Sequence, residues 1–276
     1  MRRHMLMIRI SRPGHPSRLW RIAAVALTAS VLVACGSTPA DDTAGMSTEK
    51  LYAEARDEVE AGSFERAIKL YERLEGRASG TLLGQQAQLE RAYLLYRTGE
   101  KAQALSVVER FMKLHPTSPA FDYALYLQGV INFNDNLGLF GRLAKQDLSE
   151  RDQQASRDSY QSFKQLVEQF PQSKYADDAV VRMRYIVNSL AAYEVHVARY
   201  YFRRSAYIAA ANRAQQAIQE FQTSPSTEEA LSLMAQSYDR LGLVELRDDA
   251  ARVLRQNFPN STYLAQLPAP APAKVQ

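Results

Sequence analysis

Cysteine, histidine and strand-like alternation are what this chain has least of. Its one cysteine, Cys35, rules out a disulfide framework and any metal site built from several cysteines. Of its four histidines, only His115 and His196 lie beyond residue 34. His115 precedes Pro116 at a predicted helix end. His196 sits mid-helix with Tyr200, not Glu or His, four residues on, so no metal-ligand spacing follows. There is no glycine-rich phosphate loop and no Gly-x-Ser-x-Gly elbow. Adjacent acids such as Asp177-Asp178 and Asp248-Asp249 point in different directions on predicted helices and read as solvated caps. Lacking a polar constellation, the chain is expected to be no enzyme and to hold no metal or cofactor. No run of alternating or β-branched residues is bounded by turns, so no strands are expected.

The first 34 residues also lack acid. They carry six arginines (Arg2, Arg3, Arg9, Arg12, Arg18, Arg21), then an apolar run from Ile22 to Ala34 broken only by Thr28 and Ser30. A run of about 13 residues is too short for a bilayer-spanning helix, which needs ~20. A basic start, a short apolar stretch and small residues before a cut are the layout of a secretory signal, so residues 1–34 are expected to be removed. Leu32-Val33-Ala34-Cys35 resembles the lipobox of bacterial lipoproteins. That resemblance implies an S-diacylglycerol and an N-palmitoyl group on Cys35, and two or more acyl chains anchor stably where one does not. Gly36, rather than Asp, follows the cysteine, which by the same resemblance favours the outer membrane. An ordinary signal cut beside a chance cysteine, or a buried core cysteine, is the plainer reading.

That cut changes the charge. The whole chain carries +4; the leader takes six of the 34 Lys+Arg and none of the 30 Asp+Glu, leaving 28 against 30, or −2. No basic excess remains, and no nucleic-acid partner is expected. Residues 35–48 are small and polar and read as a lipidated flexible tether. Residues 264–276, ending Pro-Ala-Pro-Ala-Pro-Ala-Lys-Val-Gln, read as a disordered tail.

Between these ends the apolar spacing is helical, and it repeats. Gly62-x-Phe64-x-x-Ala67-x-x-x-Tyr71-x-x-Leu74 recurs as Gly99-x-Lys101-x-x-Ala104-x-x-x-Val108-x-x-Phe111 and as Gly242-x-Val244-x-x-Arg247-x-x-x-Ala251-x-x-Leu254. Gly62 and Gly99 are 37 residues apart, close to the ~34 of a tetratricopeptide repeat. Glycine turns one helix into the next, a small residue lets the two approach, and Pro116 or Pro259 stops the second. Seven residues before each glycine stands Ala55, Ala92 or Ala235. Two looser repeats, one of them through Ser205-x-Tyr207-x-x-Ala210, bring the expectation to about five helix pairs: 49–84, 85–117, 118–172, 173–223 and 226–260. The fold class is all-α, a tetratricopeptide-repeat solenoid of curved, right-handed form.

Two stretches depart from the pattern. Residues 130–143, Val130 to Leu143, interrupt the third pair with Gly138, Gly141 and several apolar residues; they read either as a binding loop or as a plug for the solenoid interior. The fourth pair has a long first helix, about Ala176 to Arg204, rich in Tyr and Arg. That composition suits an interaction surface or, more plainly, a core with a solvated face.

The segment from Arg110 to Gly129, with Pro116-Thr117-x-Pro119-x-x-Asp122-Tyr123, resembles the BamD family, lipoproteins of the outer-membrane β-barrel assembly (BAM) machine. Gln85-Gln86-Ala87-Gln88-Leu89, Arg151-Asp152-Gln153-Gln154-Ala155, Val197-Ala198-Arg199-Tyr200-Tyr201 and Asn212-Arg213 support it. The resemblance implies a scaffold on the periplasmic face of the outer membrane, held by its lipid anchor. Repeats 1–3 (49–172) would face unfolded outer-membrane proteins. Repeats 4–5 (173–263) would face a POTRA domain of BamA, with other BAM lipoproteins nearby. Arg213 matches the family's BamA-facing arginine, and Arg199 and Tyr200 join it as interface candidates. On the first helices of repeats 1–3, Tyr52, Arg56, Tyr93, Tyr96, Arg97 and Tyr126 are the substrate-binding candidates. Arg77-Ala78-Ser79-Gly80-Thr81-Leu82-Leu83 departs from the family's Tyr-Pro and aromatic-Gly-Pro-aromatic turn. Rival readings are a pilotin for a pilus secretin and an activator of a cell-wall enzyme.

Overall fold

Consecutive helices joined by short turns make up nearly all of the residues that the computed structural model describes, 43–133 and 150–267. Helices α1 (Thr48–Glu60) and α2 (Phe64–Arg77) form the first pair, and α3 (Leu82–Arg97) and α4 (Lys101–Leu114) the second. The third is α5 (Phe121–Asn132) with α6 (Glu150–Gln169), the fourth α7 (Ala176–Arg203) with α8 (Tyr207–Glu220), the fifth α9 (Thr227–Arg240) with α10 (Val244–Asn257). No strand occurs among the described residues, which are all-α as their periodicity predicts. Each helix packs on the next. First helices of neighbouring pairs also touch, α3 on α5 and α7 on α9, which is how a repeat array buries faces that no pair can bury alone.

Four of the turns within pairs share one geometry. Gly62, Gly99 and Gly242 have φ of 77°, 88° and 71°, and Ser205 holds the same place at 59°. The next residue's N–H reaches back five residues: Ser63 to Glu58, Glu100 to Leu95, Ala206 to Tyr201 and Leu243 to Tyr238, at 2.8, 2.8, 3.0 and 2.9 Å. This is the Schellman closure, which occupies carbonyls a helix end leaves open and needs a left-handed residue.

The turns between pairs repeat as well. In His115–Ser118, Phe170–Ser173, Phe221–Ser224 and Phe258–Ser261 the serine N–H bonds the carbonyl three residues back at 3.1, 2.9, 3.0 and 3.0 Å. Each serine Oγ then accepts from a backbone N–H two residues on. The departing segment 77–83 closes the same turn by other means. Thr81 N–H bonds Ala78 O at 3.0 Å, Gly80 supplies φ +80°, and Thr81 Oγ1 caps the Gly84 N–H. The last such turn leads not to another helix pair but to a 3-10 turn, Thr262–Gln266. Leu267 behind it packs on Ala235, Ala250 and Ala251. Residues 264–267, expected in the tail, therefore belong to the array end, whose apolar face needs covering.

The repeated motif is the core. Ala67, Tyr71, Leu74, Ala104, Val108, Phe111, Ala251 and Leu254 are all buried, as are Ala55, Ala92 and Ala235. In the third pair Gly129 takes the small-residue place, packed so close to Phe163 that a Cβ would meet its ring at 2.5 Å. Arg247, where other repeats have alanine, is buried too, with its head drawn out to Asp239 at 3.1 Å and Asp248 at 2.8 Å. The expected insert begins later than 130: Val130, Ile131 and Asn132 continue α5, with Ile131 in the core. The rest of it, from residue 134, lies outside the described residues, as do the leader, Cys35 and the tether up to residue 42.

Candidate functional site

Side chains from four first helices meet in one row. On α1, Tyr52 and Arg56 are one turn apart. On α3, Gln86, Glu90, Tyr93 and Arg97 recur at helical spacing along one face. Gln86 Nε2 donates to Tyr52 Oη at 2.5 Å, tying α3 to α1. Glu90 follows Gln86 by one turn of α3, and the Gln86 amide acts to lower its pKa. Tyr52 leans on buried Tyr71 of α2, ring centroids 6.0 Å apart. From α5, Tyr123 and Tyr126 pack against Tyr175, just before α7, at 5.4 and 4.7 Å, the second pair stacked. Tyr126 Oη donates to Asp178 Oδ2 at 2.7 Å, and Arg182 Nε donates to the same oxygen at 2.6 Å. Arg182 also lies 4.9 Å over the Phe133 ring.

Five of the six substrate-binding candidates fall in this row: Tyr52, Arg56, Tyr93, Arg97 and Tyr126. Arg97 sits 5.2 Å over Phe64 and 5.8 Å over Tyr93. Arg56 is exposed and pairs loosely with Glu60, one turn on, at 3.6 Å. Tyr96 departs from the row. It packs on the core around Leu95, Val107 and Phe111, because one residue before Arg97 it stands about 100° round α3 from it.

The electrostatics divide the row. Asp178 is exposed in the first turn of α7, as expected of a solvated cap, and is paired there as well. Burial acts to raise it, but the bonds from Arg182 and Tyr126 win and bring it below the usual carboxylate range. Glu90 goes the other way. Burial pushes it up, and the distant Arg56 charge and the Gln86 amide only partly offset that. Burial and the Glu90 charge together raise the hydroxyls of Tyr52, Tyr71 and Tyr123.

The three C-terminal candidates do not share one acid. Arg213 of α8 donates from Nη1 to Glu194 Oε2 of α7 at 3.0 Å. Arg199 of α7 holds Glu229 of α9, its Nε at 2.7 Å and its Nη2 on the same oxygen. Tyr263 Oη donates to the other Glu229 oxygen at 3.1 Å. Tyr200 is 45% exposed, edge-on to Tyr201 at 5.7 Å, with Arg204 5.6 Å over its ring. Among the described residues no group of three His, Cys, Asp or Glu could hold a metal ion, and no helix is long and apolar enough to cross a membrane.

Sequence reasoning missed Gln86, Glu90, Tyr123, Tyr175, Asp178 and Arg182. The repeat offset carried part of the signal. Tyr52, Leu89 and Tyr126 stand 37 residues apart in turn, and Gln86 and Tyr123 do the same, so each set occupies one position of successive first helices.

A family model described as "Outer membrane lipoprotein" (YfiO) matches residues 44–254. Among curated proteins, the outer membrane protein assembly factor BamD of Neisseria meningitidis serogroup A is 46% identical over 240 residues, 87% of this chain and 90% of that protein. BamD of Xylella fastidiosa (strain Temecula1) is 33% identical over 258 residues, 92% and 87% of the two chains. Among solved structures, the TPR2AB-domain:pHSP90 complex of yeast Sti1 overlaps at 13% identity with a TM-score of 0.42, covering 79% of this chain and 80% of that one.

Proposed function

Because the chain belongs to the YfiO family of outer-membrane lipoproteins, whose curated members are the assembly factors called BamD, we propose that it serves the assembly of outer-membrane β-barrel proteins as a non-catalytic scaffold. The 46% identity to a BamD over 87% of the chain carries that reading. In it, Cys35 is acylated and holds the helical array at the periplasmic face of the outer membrane, with no cofactor and no nucleic acid. Repeats 4–5 meet a POTRA domain of BamA through the surface around Arg199, Tyr200 and Arg213. Other BAM lipoproteins share that end.

Repeats 1–3 offer the tyrosine row to unfolded outer-membrane proteins. Extended segments rich in aromatics suit it. Ring faces of Tyr52, Tyr93, Tyr123 and Tyr126 supply apolar area with little entropy to lose, and Arg56 and Arg97 are placed at its edge for a client carboxylate. A mild-detergent pulldown of the mature protein from native envelopes, read by mass spectrometry, tests the scaffold role. BamA should lead the co-eluting proteins. A secretin or a peptidoglycan synthase without BamA would overturn the proposal.

A further inference from the structure

Glu90 stands out within the tyrosine row. It is a half-buried carboxylate, and no Lys or Arg among the described residues pairs with it. Arg56, the cation acting on it from α1, lies beyond ion-pair distance of it and pairs loosely with Glu60 at 3.6 Å. The other acid of the row, Asp178, has Arg182 on it at 2.6 Å. Around Glu90 are tyrosines from three other helices: Tyr52 of α1, Tyr71 of α2 and Tyr123 of α5, each close enough for the Glu90 charge to hinder ionisation of its hydroxyl. Gln86, one turn before Glu90 on the same face of α3, ties that face to α1 through its bond to Tyr52 Oη at 2.5 Å.

A carboxylate that burial leaves under-compensated gains from a cation, and tyrosine faces beside it add cation–π attraction. A second acid or a plain apolar group would leave that charge as it is. We propose that Glu90, with Tyr52 and Tyr123, is the subsite that takes a cationic side chain, Lys or Arg, of an extended client segment lying along the row. This rests on the reading of the row as the client-binding surface and adds to it. Aromatics would settle on the tyrosine faces and acids at Arg97, while the centre of the row selects for positive charge. The polypeptide's register along the row would then be set by where its basic residue falls.

The test uses the mature protein and two fluorescein-labelled peptides of alternating aromatic and polar residues, identical except for one central Lys or Gln. Anisotropy titrations at low salt should give roughly five- to tenfold tighter binding for the Lys peptide. In Glu90→Gln, which keeps the size of the side chain and removes its charge, that preference should vanish. Equal affinity for the two peptides in the parent, or a preference surviving in Glu90→Gln, would overturn the Glu90 subsite and leave the row's client role standing. Binding of neither peptide would overturn both. Thermal melts of parent and variant confirm that each is folded under the assay conditions.

Discussion

Arg213 and Glu194 face each other across the α7–α8 turn at 3.0 Å, with the Glu194 side chain only 3% exposed and that of Arg213 41%. The arginine is what makes the buried carboxylate tolerable. Removing one partner of a fully buried pair costs ~3–5 kcal/mol. Screening at the half-open arginine reduces that, so Arg213→Ala should cost about 2–3 kcal/mol in urea unfolding. Arg213→Glu should cost more, by adding a like charge. The double variant Arg213→Gln/Glu194→Gln should recover most of the loss. Any test of Arg213 in partner binding therefore needs that double variant as its folded control.

Ser205 takes a left-handed φ of 59° where three equivalent turns have glycine. The Cβ makes that conformation unfavourable by about 1 kcal/mol. Ser205→Gly should raise the melting temperature by a few degrees, since ~1 kcal/mol moves Tm by ~2–4 °C in a domain of this size. Glycine's greater freedom in the unfolded chain trims the gain. An unchanged or lower Tm would contradict this account of the turn.

Gly129 tests packing rather than turning. Its missing Cβ leaves room for the Phe163 ring, and Ser159 Oγ donates to its carbonyl at 2.7 Å. Gly129→Ala should destabilise by about 1–3 kcal/mol despite alanine's better helix propensity, because the ring has to move. Pairing it with Phe163→Leu should recover part of the loss.

Glu90 gives a pH signature. Its folded pKa is raised above the unfolded value, so the native state binds more protons than the unfolded state between the two. Its contribution to stability is therefore largest at acid pH and falls as pH rises through that window. Glu90→Gln should be more stable than the parent at neutral pH, and the gap should close below about pH 4, where the carboxylate is protonated in both states. Chemical unfolding across pH measures this. A gap that widens on acidification would mean that Glu90 is stabilised by a charge.

The backbone was legible wherever one residue type has one job. A glycine at each turn and an alanine seven residues before it name three of the pairs outright, and a proline after the second helix marks two of those. The fourth was harder because Ser205 does a glycine's work. The terminal 3-10 turn looked like the start of a disordered tail, because five residues carry no period; the Phe-Pro-x-Ser of Phe258–Ser261, matching Phe170–Ser173, was the available clue. In the candidate site, the tyrosines were visible as outliers on a helical face. Their acids were not, because a lone carboxylate such as Glu90, Asp178 or Glu194 looks the same in sequence whether it is solvated, paired or buried. Its partner is decided by packing: Asp178 meets Tyr126 from 52 residues away, and Glu194 meets Arg213 from 19.

Depleting this protein from its native envelope and measuring the amount of folded, heat-modifiable β-barrel protein in the outer membrane tests the central claim most directly. The scaffold reading predicts that folded barrels fall as the protein is depleted, while unfolded barrel precursors build up in the periplasm. Unchanged barrel levels at full depletion would contradict it.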